Sequence, residues 1–414
     1  MEHDTRTGWI LAGCTALALF GDSTLYAVLP SQHAQAGVTL AAVGWLLSVN
    51  RLVRIPLNVA SGWLADRVGP KVPYVVGILL GMISTAGYGV VKGFWPLMAL
   101  RALWGLAWTL IAVSAYTLLL NISHPARRGR QLGLYASFSF LGGAIGPILG
   151  GYLTDTQGYA TAMLALGACT GVGWILAALL VPPVPPPERQ ASAAAPMTWR
   201  AISRQARAAV IALRGSGRSL GVILALNGAH RFFFAGVFYA TFGRYLLLAL
   251  GKETRLGGVL IGVASLTGVL LFARNVITAL VGPLVGHLSD LLGDRARVLI
   301  LGEVCGILGL ATCGLSGHPV AIMLGVLCAA TAYGIVPPML TAWMGDITAP
   351  SRRGPVVGLY QTLGDIGSGL APAVVYPAMA LIGLSPVYLL SAGFLAATIP
   401  LILWASKPTA RVVA

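Results

Sequence analysis

Apolar runs of about twenty residues recur along the whole chain, and they constrain its fold more than any other feature. A helix needs about 20 consecutive apolar residues to cross the hydrocarbon core of a bilayer. Apolar residues make up 57% of the 414 residues and charged residues only 9%, which is not the composition of a soluble domain. The sequence therefore predicts an all-α, polytopic membrane protein.

The runs divide into twelve predicted transmembrane helices. Their ranges are 9–30, 39–61, 72–91, 95–120, 131–153, 160–181, 219–248, 257–288, 297–316, 319–344, 356–382 and 386–404. We predict an N-terminal six-helix bundle (1–181), a cytoplasmic linker (182–218) and a C-terminal six-helix bundle (219–414). Prolines at the start of the linker break the sixth helix. Arg200, Arg204 and Arg207 then recur at helical spacing, which is typical of either a helix on an anionic membrane surface or a flexible basic linker.

Basic residues cluster in alternate loops between the predicted spans. The formal net charge is +15, which in a soluble protein would suggest a nucleic-acid partner. Here the distribution indicates orientation, because loops rich in Lys and Arg stay in the cytoplasm. We therefore expect both termini in the cytoplasm and no nucleic-acid partner. We also expect the membrane to be a bacterial inner membrane. The first apolar run is too long for a signal-peptide core, so we expect it to remain as the first span.

A polar turn between the second and third spans occurs again far down the chain. Gly62 to Lys71 places a carboxylate, Asp66, four residues after a glycine. Gly286 to Gly293 repeats the pattern with Asp290 at an offset of 224 residues. A second pair of loops, each with two adjacent arginines, repeats at nearly the same offset. Two six-span halves of parallel topology are therefore predicted, a design that places the substrate site near mid-membrane.

Three segments, Gly62–Lys71, Leu97–Gly105 and Gly142–Gly151, resemble motifs of the major facilitator superfamily. The turn Gly62–Lys71 resembles the family's loop 2–3 motif, and Leu97–Gly105 resembles the fourth-span motif that carries a buried arginine, although Trp104 replaces a polar residue there. Gly142–Gly151 resembles the fifth-span motif of proton-linked exporters. The resemblance implies alternating access, a small-molecule substrate, a monomer, and a proton gradient in place of a bound cofactor. The gating and structural residues it implies are Gly62, Asp66, Arg67, Gly69, Gly142, Gly146, Pro147 and Asp290.

Arginines inside the spans are the main candidates for substrate contact. Buried charge in hydrocarbon is expensive and persists where it faces a cavity or a partner. Arg51 and Arg274 occupy nearly equivalent positions in the two halves, where their guanidinium groups could hold a carboxylate or another oxyanion. The alternative is that the arginines neutralise intramembrane acids and stabilise the bundle. The predicted substrate-binding residues are Arg51, Arg274, Asn275, Arg54, Tyr26 and Arg231.

Acidic residues inside the spans are candidates for proton coupling. Asp22 in the first span is the primary candidate. A low-dielectric cavity favours its protonated form, whereas a nearby arginine favours its ionised form, so the group can bind and release a proton. Structural capping is the alternative role for Asp22. Asp365 is a second candidate, and Arg101 resembles the relay arginine of the family. Glu303 is expected near a cytoplasmic end, where solvent would cover it.

Residue patterns for other chemistries are absent from the sequence. The five cysteines lie in apolar runs without ligand spacing, so neither disulfides nor a metal site are expected. We find no phosphate-binding loop and no nucleophile–base pattern, and we expect no enzyme activity and no cofactor. The prediction is proton-coupled export of a small anionic or acceptor-rich molecule. Alternatives are a facilitative or exchange carrier for organic anions, a non-transporting sensor or scaffold, and a lipid flippase.

Overall fold

The computed structural model describes residues 2–122, 128–183, 217–256, 259–348 and 353–406. Six long helices form the first half of the chain. They are α1 (Glu2–Gln32), α2 (Leu40–Val68), α3 (Lys71–Val90), α4 (Phe94–Ile122), α5 (Arg128–Gln157) and α6 (Tyr159–Leu180).

The second half begins with a helix in three sections and continues with five more helices. The sections are α7 (Gly217–His230), a π-helix (Arg231–Phe238) and α8 (Tyr239–Leu250). The remaining helices are α9 (Val263–Leu292), α10 (Arg295–Leu315), α11 (Pro319–Ile347), α12 (Arg353–Ile382) and α13 (Leu384–Ser406).

Twelve helical segments in the described part of the chain are long and apolar enough to cross a membrane. The three sections together contain one continuous span of this kind, Arg218–Leu250. The prediction of twelve transmembrane helices is therefore confirmed, and the chain is a multi-pass membrane protein.

A short β-hairpin precedes α9. Strands β1 (Glu253–Leu256) and β2 (Val259–Gly262) pair antiparallel, with Glu253 opposite Gly262. The Val263 N–H donates to the Lys252 carbonyl at 2.9 Å and closes the hairpin at the start of α9. The sequence predicted helix from residue 257, because a short apolar run does not by itself distinguish a strand from a helix.

Glycines with positive φ end the helix in both copies of the repeated turn. Gly69 follows α2 with φ 80° and Gly293 follows α9 with φ 65°, a region that glycine enters without steric cost. Asp294 then caps α10 by accepting hydrogen bonds from two backbone N–H groups at 3.0 and 3.1 Å, which satisfies donors that the first helical turn leaves free. The need for a glycine at the end of the helix thus explains why this glycine recurs in both copies of the turn.

The residues group into two compact units. Unit 1 comprises 1–197, 239–272 and 372–377, and unit 2 comprises 198–238, 273–371 and 378–414, each over its described residues. The prediction of two bundles separated by a linker at 182–218 stays a prediction. The proposed surface helix with Arg200, Arg204 and Arg207, and nearly all of that linker, lie outside the described residues.

Helices α1 and α5 pack along a seam of glycines in unit 1. A Cβ at Gly142 would overlap the α1 backbone at Ala16, and one at Gly146 would overlap it at Phe20. Small residues allow two membrane helices to approach this closely. Thr24 also donates a hydrogen bond to the Gly146 carbonyl at 2.6 Å. The seam fixes the position of the middle of α1, which carries the first candidate site residues.

Candidate functional site

A buried ion pair joins α1 to α4 in unit 1. Arg101 Nη1 lies 2.6 Å from Asp22 Oδ1. The Arg101 side chain is 1% exposed and that of Asp22 is 17% exposed. Arg101 Nε also donates to the Leu46 carbonyl of α2 at 2.9 Å, and Asn50 Nδ2 donates to Asp22 Oδ1 at 3.2 Å. Two predicted proton-coupling residues are therefore in direct contact, and a third helix holds them.

Tyr26 connects this pair to Arg51. Its hydroxyl donates to the Leu47 carbonyl at 2.9 Å and lies 3.2 Å from Asn50 Oδ1. Arg51 Nε donates to the same hydroxyl at 3.2 Å, and the Arg51 guanidinium lies 5.2 Å from the Tyr26 ring centroid. A cation over an aromatic face is stabilised by the ring quadrupole. Two predicted substrate-binding residues thus belong to the same network as the ion pair, and we name Asp22, Arg101, Asn50, Tyr26 and Arg51 the unit 1 network.

Close packing of α4 on α2 makes this network possible. A Cβ at Gly105 would lie 2.6 Å from the Asn50 carbonyl oxygen, so only glycine permits the observed approach. Arg54, the next arginine of α2, lies with its guanidinium 5.6 Å from the Trp108 ring centroid. Arg51 and Arg54 of α2 therefore both contact aromatic rings.

In unit 2, the predicted residues Arg231 and Asp365 form a second, more exposed ion pair. Arg231 Nη1 lies 3.4 Å from Asp365 Oδ1, and the two side chains are 26% and 28% exposed. Arg231 Nη2 donates to Gln361 Oε1 at 2.9 Å. The Arg231 side chain passes directly over Gly364, where a Cβ would lie 2.6 Å from it. At this separation and exposure the pair is weaker than that of Asp22 and Arg101.

Arg274 and Asn275 lie beside an aromatic stack in unit 2. The Arg274 guanidinium lies 4.6 Å from the Tyr333 ring centroid, and its Nη1 donates to Asn275 Oδ1 at 3.3 Å. His230 is buried between Tyr333, at 5.6 Å between ring centroids, and Phe234, at 4.6 Å. Each unit therefore holds a predicted substrate-binding arginine over a tyrosine ring.

The predicted gating residues lie at helix ends and on the α5 seam. Gly62, Asp66 and Arg67 occupy the last two turns of α2, and Asp290 the last turn of α9. The Arg67 guanidinium lies 4.2 Å from the Trp63 ring centroid. The side chains of Asp66 and Asp290 lie outside the described set.

Pro147 lies on the α5 seam where α5 meets the first turns of α9. A Cβ at Gly268 would overlap the Pro147 carbonyl, and Ser265 N–H donates to Asp155 Oδ2 at 2.7 Å. Proline within the helix and the missing Cβ at Gly268 both favour this contact. The role of these residues in gating stays a prediction.

Sequence reasoning did not select four residues that the structure places at or near these sites: Asn50, His230, Tyr333 and Glu303. The expectation of a solvent-covered Glu303 is wrong, because Glu303 is 1% exposed. Its position nine residues into α10 is the signal that could have found it, since a lone acid that deep in an apolar span is costly. The described residues contain no group of three or more potential metal ligands.

Comparison with known families gives one match that covers nearly the whole chain. A family model described as Major Facilitator Superfamily matches residues 11–275 and 232–414.

Several transporters of known sequence are similar. Multidrug resistance protein Stp of Mycobacterium tuberculosis is 24% identical over 407 residues, covering 88% of this chain and 74% of Stp. An MFS-type transporter of the same species is 32% identical over 165 residues, covering 40% of this chain and 28% of that protein. Cephamycin export protein CmcT of Amycolatopsis lactamdurans is 28% identical, covering 39% of this chain and 34% of CmcT. The chain thus matches about a third or less of the last two relatives' length.

Solved structures show the same fold at low sequence identity. The nucleoside transporter NupG aligns with TM-score 0.76 at 14% identity, covering 99% of this chain and 100% of NupG. A bacterial homolog of the human lysosomal transporter Spinster, in an inward-facing and unoccupied conformation, aligns with TM-score 0.72 at 16% identity, covering 98% and 95%. At these identities the similarity establishes the fold alone.

Proposed function

The chain belongs to the major facilitator superfamily, and on that premise we propose that it exports a small anionic or acceptor-rich molecule in exchange for protons. The observation that carries the proposal is the ion pair of Asp22 and Arg101 inside the membrane-spanning helices of unit 1. The substrate reaches and leaves its site by alternating access, and the proton gradient drives the cycle without a bound cofactor.

The ion pair can act as a proton switch. In this conformation the Arg101 charge stabilises ionised Asp22 at 2.6 Å. A proton that binds Asp22 removes the attraction and leaves the buried Arg101 charge without its counter-ion, which is costly in a low-dielectric site. The protonated state therefore favours a different arrangement of α1 and α4. Asn50 and the Leu46 carbonyl hold the two side chains in position for the ionised state.

The arginines support the choice of an anionic substrate. Arg51 and Arg274 are each held over a tyrosine ring in their own unit, and a guanidinium presents a planar set of donors that matches a carboxylate. Arg54 and Arg231 provide further positive charge. Export as the direction agrees with the relative CmcT, which is a cephamycin export protein. We further propose that the protein acts as a monomer in a bacterial inner membrane with both termini in the cytoplasm.

Reconstituted transport tests this function. Full-length protein in liposomes is assayed with a cephamycin, which carries a carboxylate, and with the cation puromycin as the matched control. We expect transport of the cephamycin that stops when the pH gradient is collapsed, and weak transport of puromycin. Transport of the cephamycin that continues unchanged without the gradient would contradict proton coupling.

Two variants test the assigned roles. Asp22→Asn is expected to abolish gradient-driven transport and to retain exchange of labelled for unlabelled cephamycin, because the binding arginines remain. Asp346→Asn removes a half-exposed acid that pairs with Arg295. It is the control, because it makes the same Asp-to-Asn change at a carboxylate to which no role in proton coupling is assigned.

A facilitative or exchange carrier for organic anions is the second candidate. The short contact between Asp22 and Arg101 favours this carrier if the ion pair persists throughout the transport cycle and has only a structural role. In that case Arg51→Ala abolishes transport while Asp22→Asn leaves the pH dependence of transport intact.

A further inference from the structure

Glu303 is a buried acid within a membrane-spanning helix that belongs neither to the unit 1 network nor to the Arg231–Asp365 pair. It lies on α10 on the same helical face as Leu299, Gly306 and Leu310, at spacings of four, three and seven residues. All three neighbours are buried. Leu299 belongs to an apolar cluster that includes Leu226 of α7. This face of α10 is therefore directed into the interior of unit 2 and away from lipid.

The Glu303 carboxyl group has no polar partner within the described part of the chain. Both of its oxygens are buried without a hydrogen bond, and only 1% of the residue is exposed. An ionised carboxylate in such surroundings costs several kcal/mol, because neither water nor a counter-ion compensates it.

Nearby charges are engaged elsewhere. Helix α10 packs against α11 and α13, and Gly306 lies beside Phe234 of the π-helix. Among the described residues, Arg231 pairs with Asp365, Arg295 with Asp346, and Arg297 with Asp294. On α7, Arg218 lies with its guanidinium 5.1 Å from the Trp404 ring centroid. The other titratable groups on these elements and on α10 are His230 at the end of α7, Cys328, Tyr333, Tyr388, Cys305 and Cys313.

We propose that Glu303 is protonated in this conformation and is a second proton-coupling residue of the transporter. Its proton passes to water when the packing of α10 opens, leaving an ionised carboxylate that must regain a proton before the same packing can form again. The inference rests on the proposed proton-coupled function and adds a carrier group in unit 2 to Asp22 in unit 1.

Contacts in unit 2 connect this position to the predicted substrate arginine. One turn after Glu303, a Cβ at Gly306 would lie 2.7 Å from the Phe234 ring. The Phe234 ring contacts His230 at a tilt of 34°, His230 stacks on Tyr333, and Arg274 lies over Tyr333. A shift of α10 therefore changes the packing of the ring that supports Arg274. This gives a physical route by which release of the Glu303 proton alters anion contact.

Infrared spectroscopy tests whether Glu303 holds a proton. Full-length protein in lipid nanodiscs is compared with Glu303→Gln, which mimics the neutral acid in shape, and with Asp346→Asn as the control. At neutral pH we expect a carbonyl stretching band of a protonated carboxyl group that disappears in Glu303→Gln and persists in Asp346→Asn. Glu303→Gln is expected to fold with unchanged thermal stability, because a neutral group already occupies the site. A spectrum in which Glu303→Gln removes no such band overturns the proposal.

The cephamycin assay described above tests coupling. We expect Glu303→Gln to lose gradient-driven transport and to keep exchange, since the glutamine cannot release a proton. Gradient-driven transport at the wild-type rate in a folded Glu303→Gln variant overturns the coupling role even if the infrared band is present. A wild-type protein whose transport ignores the gradient overturns the proposed function itself, and the infrared result then decides separately whether Glu303 is protonated.

Discussion

Removing the Asp22 charge should destabilise the protein through the partner that it leaves behind. In Asp22→Asn the Arg101 guanidinium stays buried at 1% exposure and keeps its hydrogen bond to the Leu46 carbonyl. Breaking one side of a buried pair costs roughly 3–5 kcal/mol, and the 17% exposure of Asp22 places the expected cost near the lower limit, about 3 kcal/mol. Asp365→Asn is the internal control, because its pair is longer and more exposed, and its cost should be about 1 kcal/mol or less.

A double-mutant cycle separates the pair from its surroundings. Asp22→Asn combined with Arg101→Met removes both charges. The loss of unfolding free energy in this double variant should be about 2 kcal/mol smaller than the sum of the losses in the two single variants. The measurement is SDS-induced unfolding in mixed micelles, followed by tryptophan fluorescence. The reasoning is refuted if Asp22→Asn costs no more than Asp365→Asn, or if the two single costs simply add.

Three further predictions concern packing, backbone conformation and pH. Gly146→Leu inserts atoms into the α1 backbone and should lower stability by about 3 kcal/mol. Gly143→Leu, which has open space at its Cβ, should be tolerated, and thermal melting of both variants measures the difference. Gly69→Ala forces a side chain to φ 80° and ψ 149°, a region almost restricted to glycine, and should cost about 1–3 kcal/mol. Gly286→Ala in a helix interior should be neutral or stabilising by up to about 1 kcal/mol, and melting curves with the reverse order would refute the backbone argument. Burial and a neighbouring arginine lower the pKa of His33 below 6.5. As the pH decreases from about 6.5, the unfolded chain therefore binds a proton before the folded chain does, and the stability of the fold falls. The melting temperature of His33→Gln should fall less over that range than that of the wild type.

The number of spans could be predicted because it depends on a local property. A helix that crosses the bilayer must satisfy its backbone hydrogen bonds internally and remain apolar over a fixed length. The β-hairpin at 253–262 was missed because a short apolar run does not by itself distinguish a strand from a helix. The π-helix at Arg231–Phe238 was missed because it packs on segments that are distant in the sequence. Within the π-helix, for example, Gly236 lies directly on Ala371, and nothing in the local sequence specifies that partner.

The sequence predicted most of the residues that meet in the unit 1 network, but not the contacts between them. Because charge is costly inside a membrane, the positions of Asp22, Arg101 and Arg51 within apolar runs are enough to select them from the sequence. Which acid meets which arginine depends on the packing of three helices, and Arg101 contacts a residue 79 positions earlier. Asn50 and Tyr26 complete the network through hydrogen bonds that no spacing rule encodes. A polar residue next to a charged one on a span is the signal that could have suggested Asn50.

Asp22 and Glu303 show why the partner of an intramembrane acid matters more than its depth. Both are single carboxylates within apolar helices, and composition treats them alike. Asp22 has a guanidinium at 2.6 Å and an amide donor at 3.2 Å, so its ionised form is compensated. Glu303 has neither among the described residues, so its neutral form is favoured at the same pH. If the infrared and transport experiments agree with this assignment, the two units hold their acids in opposite protonation states within one conformation, and a change in packing in either unit must move a proton.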